Sequence, residues 1–285
     1  MNTGMWTATA TQENLRTLQN RGVHTVGPAS GFLACGDTGA GRMSEPVQIV
    51  EEIQRLMTLK SDMAGLKVLV TAGPTVERID PVRYLTNDSS GKMGFAIAQA
   101  AIDRGAEVTV LCGNVHISPP SQAKIVRVQS TQDLYDAMMK HCDEQDVIIQ
   151  AAAPADYRVK EIAPEKIKKQ DGAAMVLELV ENPDVAKAVG QRKHSGQTLV
   201  GFAAETENLL ENAERKLTKK NLDLIVANDV SQEGAGFGVD TNIVSLLTKN
   251  GLEQLPLMKK QEVAHRILDK VIQLRPTTEK MHKPD

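Results

Sequence analysis

The chain has 285 residues, 41% of them apolar and 24% charged, enough for one large buried core and a smaller second unit. With 33 basic against 36 acidic residues, a net charge of -3 and only 3% aromatics, it has no general pull toward nucleic acid or anionic membrane and few platforms for stacking bases. Any anion it binds must be held by a local cluster. Cys35, Cys112 and Cys142 are too few and too scattered for a disulfide framework or a metal site, which fits a reducing, cytoplasmic setting. The opening MNTGMWTATATQENLRTLQNRG lacks a basic region followed by an apolar core, and no stretch reaches the ~18 apolar residues of a membrane helix. Neither export nor a membrane or nucleic-acid partner is expected.

Residues 1–44 are short for an independent domain. Within them Gly31 to Met43 reads as a loop, and Glu45 to Met57, with Ile49, Val50, Ile53, Leu56 and Met57 at helical spacing, reads as a connecting helix. From Lys67 the pattern alternates. Strands are expected near 67–72, 107–111, 146–151, 198–202 and 223–227, and helices near 91–104, 131–142, 183–190 and 206–220. Segments near 174–180 and 242–247 and a helix over Lys260 to Leu274 complete a doubly wound α/β sheet. In such sheets ligands lie beyond the carboxyl ends of the strands, which here read GPT, AAAPADYR, FAAET and ANDV.

The first strand end is the most informative. The Val/Leu-rich run Lys67 to Thr71 suits a parallel strand buried on both faces. It leads into a long polar loop with Gly73, Asn87, Ser89, Ser90 and Gly91, and then into the apolar run Met93 to Ala101. Amides at that helix start would attract an anion. The loop carries neither GxGxxG nor GxxxxGK[ST]. Asn87, Ser89 and Ser90 also suit a turn and an N-cap, but strand-to-helix loops of this length are more often functional.

Arg158 to Lys169 holds five cations, and an extended chain would send Lys166 and Lys168 to one side and Ile167 to the other. The segment is either a phosphate contact through Lys166 or a solvated basic flap. On the helix from Thr206 to Lys220, Leu209, Leu210, Ala213 and Leu217 form an apolar stripe; Lys216 and Lys220 lie on its flank and Lys219 points outward. Two flanking lysines can clamp a polyanion, although cations at a helix C-terminus are also favoured by the macrodipole. Asp156 offers a hydrogen-bond acceptor or a partner for a hydrated metal ion, or an Asx turn. Asn182 as N-cap with Pro183 at N1 is an adequate structural explanation of Asn182-Pro183-Asp184, and Phe202 suits a core position. No Ser/His/Asp set or metal cluster can be placed, and the six histidines are scattered.

GPTVERIDPVRYLTNDSSGKMGFAIA, AAAPADYR, APEKIKKQ, ENPDVA, VGFAAET and KKNLDLIVANDVS, in that order, resemble phosphopantothenoylcysteine synthetase, the second half of the bacterial bifunctional coenzyme A biosynthesis family, over about residues 65–275. MNTGMW and LACGDTGAGRM are similar to the end of the other half, phosphopantothenoylcysteine decarboxylase. The resemblance implies a doubly wound Rossmann-like, mostly parallel sheet at 65–285, a linker helix at 45–64, and a remnant of a flavodoxin-like decarboxylase domain at 1–44. Counterparts of that domain's flavin-binding region and catalytic His are missing from the sequence. It therefore implies an N-terminally truncated form without decarboxylase activity of its own, with FMN only where the missing half is supplied.

For the ligase half the resemblance implies that 4'-phosphopantothenate, CTP and Mg²⁺ give an acyl cytidylate and diphosphate, after which L-cysteine displaces CMP. Lys166 would stabilise the α-phosphate and Asn87 would work on the acyl cytidylate. CTP contacts would fall on Gln150, Ala151, Ala152, Asp156, Lys166, Asn182, Pro183, Asp184, Val185, Phe202, Lys216 and Lys220, while the Mg²⁺ ligands stay open. Ser89, Ser90 and Gly91 would hold the substrate phosphate. Asn2 and Cys35 match the decarboxylase motif asparagine and proton donor, with Cys35 idle in this chain. A homodimer formed through the synthetase half is implied. Two other readings compete: a nicotinamide- or flavin-dependent oxidoreductase, disfavoured by the missing GxGxxG, and a non-catalytic module docking onto a separate decarboxylase, disfavoured by the presence of Asn87 and Lys166.

Overall fold

The structure is a computed structural model, and it describes residues 1–21, 23–57, 61–169, 174–205, 209–229, 236 and 238–275. The chain divides into two compact units, Met1–Leu59 and Lys60–Asp285.

In the first unit, helices α1 (Thr3–Thr7) and α2 (Thr9–Asn20) precede strands β1 (Ala29–Phe32) and β2 (Thr38–Arg42) and helix α3 (Pro46–Met57). The Asn2 side chain caps α1, accepting the Met5 N–H at 2.8 Å. The Gly-rich stretch from Gly31 is not a loop: β1 and β2 pair antiparallel through it. Its glycines serve close approach, since a Cβ on Gly39 would stand 2.3 Å from Thr3 Oγ1 and one on Gly41 2.4 Å from the Met1 carbonyl. Composition suggested a loop because a strand that must admit a helix this closely carries the same residues.

The second unit contains, in order, β3 (Lys67–Ala72), β4 (Val76–Arg78), β5 (Tyr84–Thr86), α4 (Lys92–Asp103), β6 (Glu107–Cys112), β7 (Lys124–Arg127), α5 (Thr131–His141) and β8 (Val147–Gln150). There follow β9 (Tyr157–Val159), β10 (Leu179–Glu181), α6 (Val185–Arg192), β11 (Thr198–Glu205), α7 (Leu209–Lys219) and β12 (Leu224–Asp229). The unit closes with β13 (Thr241–Asn242), β14 (Val244–Thr248), β15 (Gly251–Gln254), β16 (Met258–Lys259) and α8 (Lys260–Leu274).

Eight strands form one sheet in the order β15-β14-β12-β11-β8-β3-β6-β7, parallel from β12 to β7 with β14 and β15 antiparallel at one edge. Successive residues of the central strands point to opposite layers, as the twofold period of a strand demands. Val68, Val70, Val110 and Ile149 pack with Phe95 and Ile97 of α4 and Val263, Ile267 and Leu268 of α8. Leu69, Leu111, Ile148 and Leu199 pack on the other face with Leu134 and Met138 of α5, Val185 and Val189 of α6, and Ala213 and Leu217 of α7. Each of these side chains larger than alanine contributes roughly 1.5 to 3 kcal/mol on burial. The fold is therefore the expected doubly wound α/β unit. From β3 the chain moves to β6 and β7 on one side and then returns to β8 on the other, which puts the switch point between β3 and β8.

Helices α1 and α2 and the two-residue β16 were not expected, and neither were the β4–β5 hairpin inside the supposed loop, the edge strands β7 and β15, and the β9–β10 ladder, into which the 174–180 segment contributes only Leu179 onward. The hairpin, edge and ladder strands are three or four residues long, too short for a period to show. One helix start also moved. Helix α6 begins at Val185 with Asp184 as its N-cap, its carboxylate accepting the Lys187 N–H, so Asn182 is not the cap. Thr206, Gln170, Val230 and Ser231 of the quoted motifs lie outside the described residues, as do the side chains of Leu209 and Leu210.

Candidate functional site

Two cavities open at the carboxyl ends of β3, β8 and β11, on either side of one thin wall. The first, of about 450 Å³, is lined by Asn87, Ser89, Ser90, Gly91 and the start of α4, by Ala151, and by Lys92, Lys260, Asn228 and Asn242. The second, of about 470 Å³, is lined by Gln150, Asp156, Asn182, Pro183, Asp184, Val185, Lys216 and Lys220, with Thr71 and Thr131. Ala152 and Phe202 line both. The partition follows from the pleat, because neighbouring residues at a strand end turn to opposite faces.

The wall is held by bonds between the β3 and β8 strand ends. Ala152 N–H donates to Thr71 Oγ1 at 2.9 Å, Ala153 N–H to the Gly73 carbonyl at 3.0 Å, and Ala155 N–H to Thr75 Oγ1 at 2.9 Å. Asn87 joins the same lacing, its amide donating to the Pro154 carbonyl at 3.0 Å. On the other side Asn182 donates to the Ala155 carbonyl at 2.9 Å and accepts from Arg158 at 3.1 Å. Side chains tied to the wall by backbone bonds present a fixed surface to a ligand.

Each cavity receives a helix N-terminus and a pair of lysines. At the first, Gly91 adopts a left-handed conformation (φ 77°) as N-cap of α4, and the Lys92 N–H reaches Ser90 Oγ at 3.4 Å. Gly94 lets the helix start lie on β3, where a Cβ would meet the Thr71 carbonyl at 2.9 Å. Lys92 Nζ donates to Asp240 Oδ1 and the Gly238 carbonyl, each at 2.7 Å, and the buried Lys260 Nζ donates to the Val239 carbonyl at 2.5 Å and that of Gly236 at 3.2 Å. Burial, and then the charge of Lys92, lower the Lys260 pKa against the opposing pull of Asp240. At the second cavity Lys220 Nζ stands 3.0 Å from Asp184 Oδ1. Burial pushes the Asp184 carboxyl up, but the Lys187 N–H, Lys220 and the charge of Lys187 outweigh it, so its pKa is lowered.

Lys166 lines neither cavity. It is exposed, on a segment bonded to the β4–β5 hairpin. Ala151, expected beside the nucleotide, lines only the first cavity, and Lys219 is exposed. Asn2 and Cys35 lie in the first unit, where Cys35 is exposed with its Sγ 3.6 Å from Asp37 Oδ2. The sequence reading missed Lys92, Lys260, Thr71 and Thr131. The one available signal for the lysines was their position as first residues of helices that open beside strand ends. Among the described residues no group of three or more His, Cys, Asp or Glu side chains is arranged to hold a metal ion, and no helix is long and apolar enough to cross a membrane.

A doubly wound, Rossmann-like sheet with two cavities at its switch point defines an α/β protein of the class whose ligands gather at the carboxyl ends of the strands. The profile of the DNA/pantothenate metabolism flavoprotein C-terminal domain matches residues 63–274, and that of the Flavoprotein family residues 1–58. The coenzyme A biosynthesis bifunctional protein CoaBC of Haemophilus influenzae is 46% identical over 273 residues, an alignment spanning 96% of this chain and 68% of that relative. The crystal structure of the C-terminal domain of a CoaBC protein is similar with a TM-score of 0.65 and 42% identity, covering 75% of this chain and 98% of that one. A DNA/pantothenate metabolism flavoprotein from Streptococcus pneumoniae gives a TM-score of 0.63 at 27% identity, covering 73% and 98%. The chain belongs to the bifunctional coenzyme A biosynthesis family, with the DNA/pantothenate metabolism flavoprotein C-terminal domain as its larger part.

Proposed function

We propose that this chain is a CTP-dependent acid-amino-acid ligase that joins 4'-phosphopantothenate to L-cysteine through an acyl cytidylate. The observation that carries the reading is the shared lining: Ala152 and Phe202 border both the cavity bearing Asn87 and the one bearing Asp156, Lys216 and Lys220. Two ligands meeting there would bring a carboxylate in the first cavity against an α-phosphorus in the second. The carboxylate oxygen attacks the α-phosphorus, diphosphate leaves with the bridging electron pair, and the carboxylate becomes a mixed anhydride. The amine of cysteine then attacks the activated carbonyl, CMP departs and the amine loses a proton.

In this reading the triphosphate lies on Lys216 and Lys220 near the start of α6, and the base meets the small residues of the wall. The substrate phosphate lies at Ser89, Ser90 and Gly91, where the N-terminus of α4, Lys92 and Lys260 supply positive potential. Lys166, which lines neither cavity, is given the charge at the α-phosphate by the family resemblance alone, and Asn87, oriented by Pro154, donates to the carbonyl oxygen as it becomes tetrahedral. A Mg²⁺ carried in on the triphosphate would meet the carboxylates that line the second cavity, those of Asp156, Glu181 and Asp184, and when bound would neutralise phosphate charge. A cytoplasmic homodimer completes the reading.

The test is diphosphate release from CTP with 4'-phosphopantothenate and Mg²⁺, with and without cysteine, in wild type, Asn87→Asp and Lys166→Gln. Expected is a cysteine-dependent amide product in wild type, lost in both variants, with acyl cytidylate accumulating in Asn87→Asp alone. A folded wild type that turns over no CTP would refute the ligase.

A further inference from the structure

The segment carrying Lys166 is pinned at two points, and both pins lie on the β4–β5 hairpin. At one end the Ala163 N–H donates to the Ile79 carbonyl at 3.0 Å. At the other, the Ile167 N–H donates to Asp80 Oδ2 at 3.2 Å and the Ile167 carbonyl accepts from Arg83 Nη2 at 2.7 Å. Only Pro164, Glu165 and Lys166 lie between the pins. Asp80 is fully buried, and its other oxygen, Oδ1, accepts the Val82 and Arg83 N–H groups at 2.8 Å each, with Arg83 Nη1 3.5 Å from Oδ2.

An Asx turn over residues 80–83 needs only the Oδ1 bonds. The bond from Oδ2 reaches a residue 87 positions along the chain and does nothing for the turn. The same hairpin ends at Thr86, whose Oγ1 donates to the Thr75 carbonyl at 2.7 Å, one residue before Asn87. One small element therefore holds the approach to Asn87 and the backbone beside Lys166. Burial raises the Asp80 carboxyl pKa, but the three backbone donors and Arg83 more than reverse it, so the acceptor stays charged.

We infer that Asp80 is a positioning residue of the ligase: through the Ile167 N–H it sets where Lys166 stands for the attack on phosphorus. The inference rests on the proposed ligase reading.

Asp80→Asn weakens the acceptor, and Ile167→Pro removes the donated N–H while leaving the turn at Asp80 intact. The two half-reactions are read separately in the full chain: diphosphate release without cysteine, and CMP release from preformed acyl cytidylate with cysteine. Expected is a fall of about 10- to 100-fold in kcat of the first half-reaction in both variants, the cost of misplacing a group by an ångström or so. KM for CTP and the second half-reaction should stay within about twofold. In a Lys166→Gln background, Asp80→Asn should cause no further loss in the first half-reaction.

Equal losses in both half-reactions, or effects that multiply in the double variant, would make Asp80 a structural residue and overturn the inference. Should Asp80→Asn fail to fold, Ile167→Pro decides by the same criteria. A wild type that releases no diphosphate refutes the ligase reading instead. The pin is then read by amide exchange at Ile167: acceleration in Asp80→Asn supports it, and no change overturns it.

Discussion

The two cavities share a wall but present their positive charge differently. In the second, Lys220 is paired with Asp184, the carboxylate that caps α6, so an entering polyanion competes with a side chain already bonded to the cation. In the first, the buried Lys260 spends protons on backbone carbonyls and sits beside a second lysine, and its pKa is lowered. The comparison teaches that the same pair of residues can be a tunable clamp or a fixed electropositive floor. An exposed ion pair yields cheaply to a competing anion, whereas a buried ammonium cannot move without leaving carbonyls unpaired.

The harshest way to break the distinction is to fill the wall. Ala152→Phe should obstruct both cavities and lower kcat/KM for both substrates by about 100-fold or more, as a lost near-attack geometry does. Steady-state kinetics with each substrate varied would check it, and a loss confined to one substrate would mean the cavities are not coupled through this residue.

Sharpening it requires lysine variants. Lys260→Met should raise KM for the acid substrate by about 10- to 100-fold while leaving KM for CTP near wild type, the scale of one charge-assisted contact. Lys216→Met should do the reverse, by about tenfold, because Lys216 is less buried than Lys260 and a less buried contact is worth less. Swapped effects would exchange the ligands between the cavities.

The Asp184 carboxyl gives a smaller, pH-dependent signature. Its folded pKa is lowered, so the stability it contributes is fully present above the unfolded value of about 3.9 and is lost as pH falls through the depressed folded value. Asp184→Asn should accordingly flatten the drop in Tm below about pH 4. An unchanged Tm profile would remove Asp184 as a contributor. The smallest effect belongs to Lys219→Ala, at an exposed position, where kinetics should stay within about twofold of wild type.

The strands that carry the site were legible because parallel strands buried on both faces read as plain apolar runs. Lys67–Ala72 and Val147–Gln150 fall where such runs end in GPT and AAAPAD. A long polar loop between strand and helix was enough to locate Asn87, Ser89, Ser90 and Gly91 at a cavity. The hairpin from Gly31 was not legible, since glycines that admit a helix and glycines that make a loop are the same letters. Nor was the N-cap of α6: Asn182 and Asp184 are both capping residues, and only the chain path, with Asn182 bonded to the Ala155 carbonyl, left the helix start to Asp184.

By itself the sequence determined the alternation of strands and helices, the doubly wound class and the strand ends at which ligands gather, because periodicity and turn chemistry are local properties. Tertiary structure decided what depends on neighbours distant in the chain. It sent Gln150 and Ala151 to different cavities, brought Lys260 from α8 to the first strand end, and fastened the Lys166 segment to Asp80 outside both cavities. Those choices turn on backbone direction and on where one hydrogen bond finds its partner, which no spacing along the chain encodes.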